Sequence, residues 1–236
     1  MSTPASSLAP ELAPPAPAPP APASAVGVFG DALPVLQAYA ALLAGPGVQR
    51  GLLGPREAPR LWERHLLNCA GLAELLEPGT VVADVGSGAG LPGIVLAALR
   101  PDVTVLLVEP LLRRATFLEQ VVAELALRTA VVRRARAEEL AGTLLVDAVV
   151  ARAVAPLDRL AGWSLPLLHP GGRLLALKGE RADSELASSG AALQKAGAVS
   201  AQVVVVGDPE QQTAARVVVV TRGRTAAVPA TKRARR

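Results

Sequence analysis

The stretch VVADVGSGAGLPG, residues 81–93, decides how this chain is read. An apolar run ends in an acid, Asp84, and a cluster of glycines follows, as where a strand turns sharply and brings backbone close to a ligand. Two glycine patterns overlap in it. Gly88, Gly90 and Gly93 satisfy G-x-G-x-x-G, the dinucleotide fingerprint. Gly86, Gly88 and Gly90 satisfy G-x-G-x-G, with Asp84 two residues ahead.

Outward from this turn the chain alternates strand and helix. LPGIVLAALR reads as a helix with Pro92 in its first turn, VTVLLVEP as a strand, and LLRRATFLEQVVAELAL as a helix. Then follow AVVRRAR (strand), AEELAG (short helix), VDAVVARAV (strand), PLDRLAGWSLPLL (helix), GGRLLALKG (strand) and DSELASSGAALQKAG (helix). Two Val-rich runs, AQVVVVGD and ARVVVVTR, close the series and are near enough to form a hairpin. Continuous apolar strands between helices indicate an α/β, doubly wound, mainly parallel sheet, and the hairpin adds one antiparallel strand. Before it, DALPVLQAYAALLAG (31–45) and PREAPRLWERHLLNCAGLAELLEPG (55–79) read as two helices of an N-terminal cap, the second starting near Pro59. The expected divisions are a disordered Pro/Ala arm 1–25, a helical cap 26–80, a ligand-binding domain 81–222 and a basic disordered tail 223–236.

The chain has 236 residues, 51% of them hydrophobic, with only two Trp, two Phe and one Tyr. Asp84 and Glu109 interrupt the longest apolar runs, so none is expected to reach the roughly 18 residues of a membrane span. The N-terminus lacks a secretory pattern, and Cys69 is the only cysteine, which excludes an internal disulfide. The expectation is a cytoplasmic monomer without a metal. Of 24 basic residues, six lie in 222–236, a stretch without acids. Residues 26–221 hold 18 basic and 19 acidic groups, so the positive excess sits at one end. A basic end suits an anionic polymer such as RNA, although a merely solvated tail has the same composition.

Asp84 separates the two glycine registers. A dinucleotide sets its pyrophosphate on the helix N-terminus, where an acid is unwelcome. S-adenosylmethionine brings an ammonium and a sulfonium, both cationic, and tolerates an acid there. Glu109, 23 residues after Gly86, ends the second strand, where a carboxylate accepts both ribose hydroxyls; NAD sites share that feature. The loop after the third strand, with Glu138, offers backbone and carboxylate partners for adenine, unless Glu138 and Glu139 simply favour a helix start.

Methylation at pyrimidine C5 needs a covalent cysteine, and Cys69 lies in an apolar helix. Exocyclic amino methylation commonly uses an Asn/Asp-Pro-Pro-aromatic turn, and the corresponding place here reads ARAVAPL, with Arg152. Guanine N7 carries a free lone pair and loses no proton, so a base-free site with arginines is compatible with it.

LWERHLLN, DVGSGAGLPGI, LVEPLLRRATFL, ARAEEL, VARAVAPL and LALKGE occur in that order. Through them, over residues 31–222, the chain resembles the bacterial 16S ribosomal RNA guanine-N7 methyltransferase G family, also called glucose-inhibited division protein B. The resemblance implies a Rossmann-like class I methyltransferase sheet, S-adenosylmethionine as cofactor, and methyl transfer to N7 of a guanine in small-subunit ribosomal RNA. It implies cofactor contacts at Gly86, Leu91, Ala137, Glu138 and Arg152, which join Asp84, Gly88, Gly90 and Glu109 from the glycine loop and the strand ends. Arg152 and Lys178 are the candidate catalytic residues, and Arg64, His65, Arg113, Arg114 and Lys178 the candidate RNA contacts; Arg133, Arg134 and Arg136 would extend that patch. Arg64 and His65 also suit packing within the cap, and Arg152 a pairing with Glu138 or Asp84. The family's Asn-Leu-Thr segment is replaced by GVQRGLLGPRE, so its substrate-facing role is not carried over.

Three rival readings differ in class. A small-molecule methyltransferase needs an enclosing apolar lid, for which five aromatics are few. An assembly factor without catalysis would not need Asp84, Gly86, Gly88 and Glu109 together. A nicotinamide dehydrogenase conflicts with Asp84.

Overall fold

The computed structural model describes residues 17–210 and 213–224. Helices α1 (Ala23–Phe29), α2 (Leu33–Leu42) and α3 (Leu67–Ala70) precede strand β1 (Val81–Val85). Then come α4 (Gly93–Leu99), β2 (Thr104–Val108), α5 (Leu112–Glu124), β3 (Ala130–Arg133), α6 (Ala137–Leu140) and β4 (Val146–Arg152). The chain ends with α7 (Leu157–Ser164), β5 (Leu168–Lys178), α8 (Ala182–Lys195), β6 (Ala198–Val206) and β7 (Ala215–Arg222).

These strands form one seven-stranded sheet in the order β3-β2-β1-β4-β5-β7-β6. The pairs from β3 to β5 are parallel, and β7 is antiparallel to both β5 and β6. The expected closing hairpin is therefore present, with its second strand inserted inside the sheet. Strand order reverses between β1 and β4, which opens a crevice at their carboxyl ends.

Alternation along the strands feeds two cores. Val82, Ala148, Val150, Leu175, Leu177, Val217 and Val219 face α4, α5 and the N-terminal helices. Ala83, Val85, Val149, Ala151, Leu174, Ala176, Val218 and Val220 face α7 and α8. Both faces are covered, which is why these strands read as unbroken apolar runs.

The N-terminal region departs from its reading in three ways. First, residues 17–25 are not a free arm. Trp62 Nε1 donates to Pro19 O at 2.9 Å, Ala18 and Ala21 pack against the core, and Ala25 is buried in α1. Small residues suffice there because Trp62 and Phe29, with ring centroids 6.1 Å apart, supply the apolar surface. Residues 1–16 and the tail from 225 onward lie outside the described residues. Second, the single helix expected over 59–79 is broken into a 3-10 turn (Ala58–Arg60), a wide π turn (Leu61–Leu66), α3, and a further 3-10 turn (Gly71–Leu75). Third, the helical run Ala23–Gly47 contains an 18-residue window of mean hydropathy 1.5 and is, by length and composition alone, long and apolar enough to cross a membrane, contrary to the expectation that no run would be. Asp84 and Glu109 lie outside it in sequence, so they could not interrupt it; Phe29, Leu36, Tyr39 and Leu43 of this run are buried in the core of the fold.

Candidate functional site

The site begins where β1 ends. Gly86 turns the chain at φ +70°, and a Cβ there would meet the Val154 side chain at 2.9 Å, so only glycine fits both conformation and space. Gly93 opens α4, where a Cβ would lie 2.6 Å from Asp84 Oδ2 and collide with Leu107. This close approach lets Gly93 N donate to Asp84 Oδ2 at 3.0 Å. The helix end that a pyrophosphate would need is thus occupied by a carboxylate, which disfavours the dinucleotide register.

Asp84 differs from its expected role. It is fully buried on the α2 side of β1, off the cavity wall, and its Oδ1 has no partner among the described residues. Burial raises its carboxyl to about 7, against the opposing effect of the Gly93 N–H. Asp84 therefore holds the loop from beneath rather than presenting a carboxylate to the ligand. Gly90 is also off the wall, facing Ile94 and Tyr39.

Above the loop lies a cavity of about 710 Å³. Gly86, Gly88, Leu91, Glu109, Ala137, Glu138 and Arg152, all expected cofactor contacts, line it. Glu109 is 1% exposed and tightly held: Oε2 accepts from Gly88 N and Oε1 from Leu111 N, both at 3.0 Å. Each oxygen keeps a lone pair for a further donor. Arg114 stands 3.8 Å from Glu109 and lines the cavity, whereas Arg113 is exposed and does not. The cavity volume, the buried acid on its wall and the glycine turn fit S-adenosylmethionine: Glu109 suits the ribose hydroxyls, and the start of α6 at Ala137 and Glu138 suits adenine.

Arg152 pairs with neither Glu138 nor Asp84. Its Nη1 donates to His65 O (3.2 Å) and approaches Cys69 Sγ (3.4 Å). Its Nη2 donates to Arg64 O (3.1 Å) and His65 Nδ1 (2.7 Å). A guanidinium has no acceptor, so Nδ1 must be the unprotonated nitrogen and His65 donates from Nε2 to Glu57 at 2.9 Å. Burial, then the Arg152 charge, lowers the His65 pKa, consistent with this neutral tautomer. The outer edge of Arg152 is spent on the N-terminal helices, and only Nε–H stays available for a base. Arg64 is half exposed at the rim, 3.6 Å from Glu57.

Lys178 lies outside this cavity, in an adjoining groove of about 510 Å³ that shares Ala153 and Val154 with it. Its Nζ donates to Ala155 O at 3.0 Å and to Glu185 Oε1 at 2.8 Å. Several residues unmarked in the sequence line the cavity or back its glycine loop. Leu52 and Leu53 come from the segment that departs from the family. Trp163 comes from α7, with the Arg159 guanidinium 5.2 Å from its ring centroid. Tyr39 reaches the loop from α2 and donates to Ala89 O at 2.8 Å. No motif marks these four; only the apolar Leu pair within a loop was a local signal.

Comparison with known proteins agrees with this geometry. The family model described as rRNA small subunit methyltransferase G matches residues 32–214. Ribosomal RNA small subunit methyltransferase G of Thermobifida fusca is 57% identical over 194 residues, 82% of each chain. The protein of the same description from Streptomyces avermitilis is 57% identical over 196 residues, 83% of this chain and 80% of its own. Among solved structures, the S-adenosylmethionine-dependent methyltransferase SibL shares the fold, with a TM-score of 0.58 at 17% identity over 84% of this chain and 70% of its own. With a family match over most of its length and relatives at this identity, the chain belongs to the rRNA small subunit methyltransferase G family.

Proposed function

We propose that the protein transfers a methyl group from S-adenosylmethionine to N7 of a guanine in 16S ribosomal RNA of the small subunit. The observation that carries this reading is the cavity at the β1/β4 crevice, with Glu109 on its wall and no free base beside Arg152 among the described residues. Both ring nitrogens of His65 are engaged, by Arg152 and Glu57, so the nearest imidazole is not poised to take a proton. Bound there, S-adenosylmethionine supplies an electrophilic methyl group, and accepting it at N7 costs guanine no proton. What remains for the chain is positioning. Glu109 and the Ala137–Glu138 turn hold the cofactor, and the glycine loop, backed by Asp84 and Tyr39, sets its depth. Arg152 fixes the N-terminal helices against the sheet so that Leu52 and Leu53 close one wall. The rim cations Arg64, Arg113 and Arg114 meet the RNA backbone. The reading sets the enzyme in the cytoplasm, acting as a monomer on 16S ribosomal RNA, whether naked, in an assembling particle or in the finished small subunit.

The test is methyl incorporation from labelled cofactor into small subunits from cells lacking this enzyme, followed by nucleoside mass spectrometry. 7-Methylguanosine, lost with Glu109→Ala, is the expected product. Incorporation into another nucleoside overturns the acceptor assignment, and no incorporation despite cofactor binding moves the acceptor away from ribosomal RNA.

A further inference from the structure

The groove beside the cofactor cavity has a donor and an acceptor built into its floor. Lys178 at the end of β5 and Glu185 in the first turn of α8 form an ion pair whose side chains are 13% and 24% exposed. Glu185 Oε1 is doubly used, accepting from Lys178 Nζ and from Leu157 N at 2.6 Å, and so caps α7. Its Oε2 has no hydrogen-bond partner among the described residues. Lys178 Nζ, with two of its three N–H groups committed, keeps one. The pair is thus held rigidly from behind, presenting one acceptor and one donor side by side. Only the turn Ala153–Val154 separates it from the cofactor cavity, and Ala153 there adopts φ +53°, a conformation an alanine takes only where its surroundings enforce it.

We propose that this groove is the subsite of the acceptor guanine, with Lys178 and Glu185 gripping the Watson–Crick edge of the extruded base. This rests on the guanine-N7 reading above. Guanine is the base whose edge offers an acceptor, O6, next to two donors, N1–H and N2–H. The free Lys178 N–H suits O6, and the free Glu185 oxygen suits the donors. A base held by that edge projects its imidazole ring the other way, over Ala153 and Val154 toward the cofactor cavity. N7, being next to O6, lies on the Lys178 side. Enzymes acting on a base take it out of its stack and read that edge in a pocket, as this groove would. Phosphate, which Arg181 on the same groove would attract, meets the Glu185 carboxylate there and leaves its acceptor oxygen without a donor.

Two substrates test this: small subunits with guanine at the mapped acceptor position, and subunits rebuilt with inosine there, which lacks only the N2 amino group. Inosine is expected to lower wild-type kcat/KM at least tenfold, and Glu185→Gln to lower it at least thirtyfold on guanine. Together the two changes should cost little more than the larger one, because both remove the same interaction. S-adenosylhomocysteine Kd should stay within twofold. Lys178→Met leaves the Leu157 cap in place and serves if Glu185→Gln does not fold; a tenfold loss, partly restored by Lys178→Arg, is expected. Glu185→Gln within threefold of wild type, or losses that simply multiply with inosine, overturns the subsite. A wild-type product other than 7-methylguanosine instead removes the reading beneath it, and shows in the nucleoside rather than in the variants.

Discussion

Replacing Asp84 with Asn should change how stability depends on pH, by an amount fixed by where β1 puts that side chain. Asp84 is fully buried, and its carboxyl is raised from 3.8 to about 7, chiefly by loss of solvation. The folded protein therefore holds this proton more tightly than the unfolded chain does. The stability it represents is complete below the unfolded value near 4 and is lost as pH rises through about 7. A difference of about 3 pH units corresponds to about 4 kcal/mol. Asn keeps an oxygen for Gly93 N–H and does not titrate, so Asp84→Asn should gain about 4 kcal/mol relative to wild type between pH 4 and pH 8. His65 titrates in an overlapping window with the opposite sign. Its pKa is lowered by burial, so its contribution is present above its ordinary 6.5 and fades as pH falls. Because His65 is common to both proteins, it cancels in their difference. Urea unfolding at several pH values, with equal m-values, measures that difference directly. A difference that stays flat from pH 4.5 to pH 8 would refute the account of a buried, proton-retaining Asp84.

Three further outcomes are expected. Tyr39→Phe removes the hydroxyl that donates to Ala89 O and should cost about 1 kcal/mol of stability, together with a several-fold weaker S-adenosylhomocysteine Kd by calorimetry; unchanged affinity would mean that α2 does not set the loop. His65→Leu strips Arg152 of its shortest partner and should destabilise the fold by roughly 2 kcal/mol in urea, and a neutral result would mean that Nη2 finds another acceptor. Removing 223–236, nearly all of it outside the described residues, should reduce the salt dependence of RNA binding by roughly 0.7 in log–log slope for each phosphate the tail neutralises; an intact slope would mean the tail touches no RNA.

The sheet was legible because its strands are buried on both faces, and a run such as VTVLLVEP between helical stretches has few other readings. Gly86 and Glu109 were legible because turn chemistry and strand ends are local. Asp84 was misplaced for a reason that strand alternation contains: its side chain shares a face with Val82, the α2 side, whereas Ala83 and Val85 face the other core. The N-terminal region was harder, because its turns are 3-10 and π rather than α, and apolar spacing at 3.6 residues does not describe them. Glu185 was illegible for a different reason. An acid in the first turn of a helix is what the helix dipole favours anyway, and only the return of α8 over β5 brings it to Lys178.

The N-terminal helices are part of the site rather than an accessory to it. Tyr39 from α2 holds the glycine loop at Ala89, and Leu52 and Leu53 form cavity wall. Arg152, at the end of β4, directs its side-chain bonds to Arg64, His65 and Cys69 and, among the described residues, makes none back to the sheet side. Each of these contacts spans at least 50 residues of sequence, so none survives local unfolding of the N-terminal region. Loosening the region would strip the half-buried Arg152 guanidinium of its four protein contacts and free the Tyr39 hydroxyl from Ala89, a loss of several hydrogen bonds together. The cofactor cavity and the docking of these helices are therefore one cooperative unit. Ligand binding should accordingly slow amide exchange in α2 and in Leu61–Leu66 as strongly as in the glycine loop.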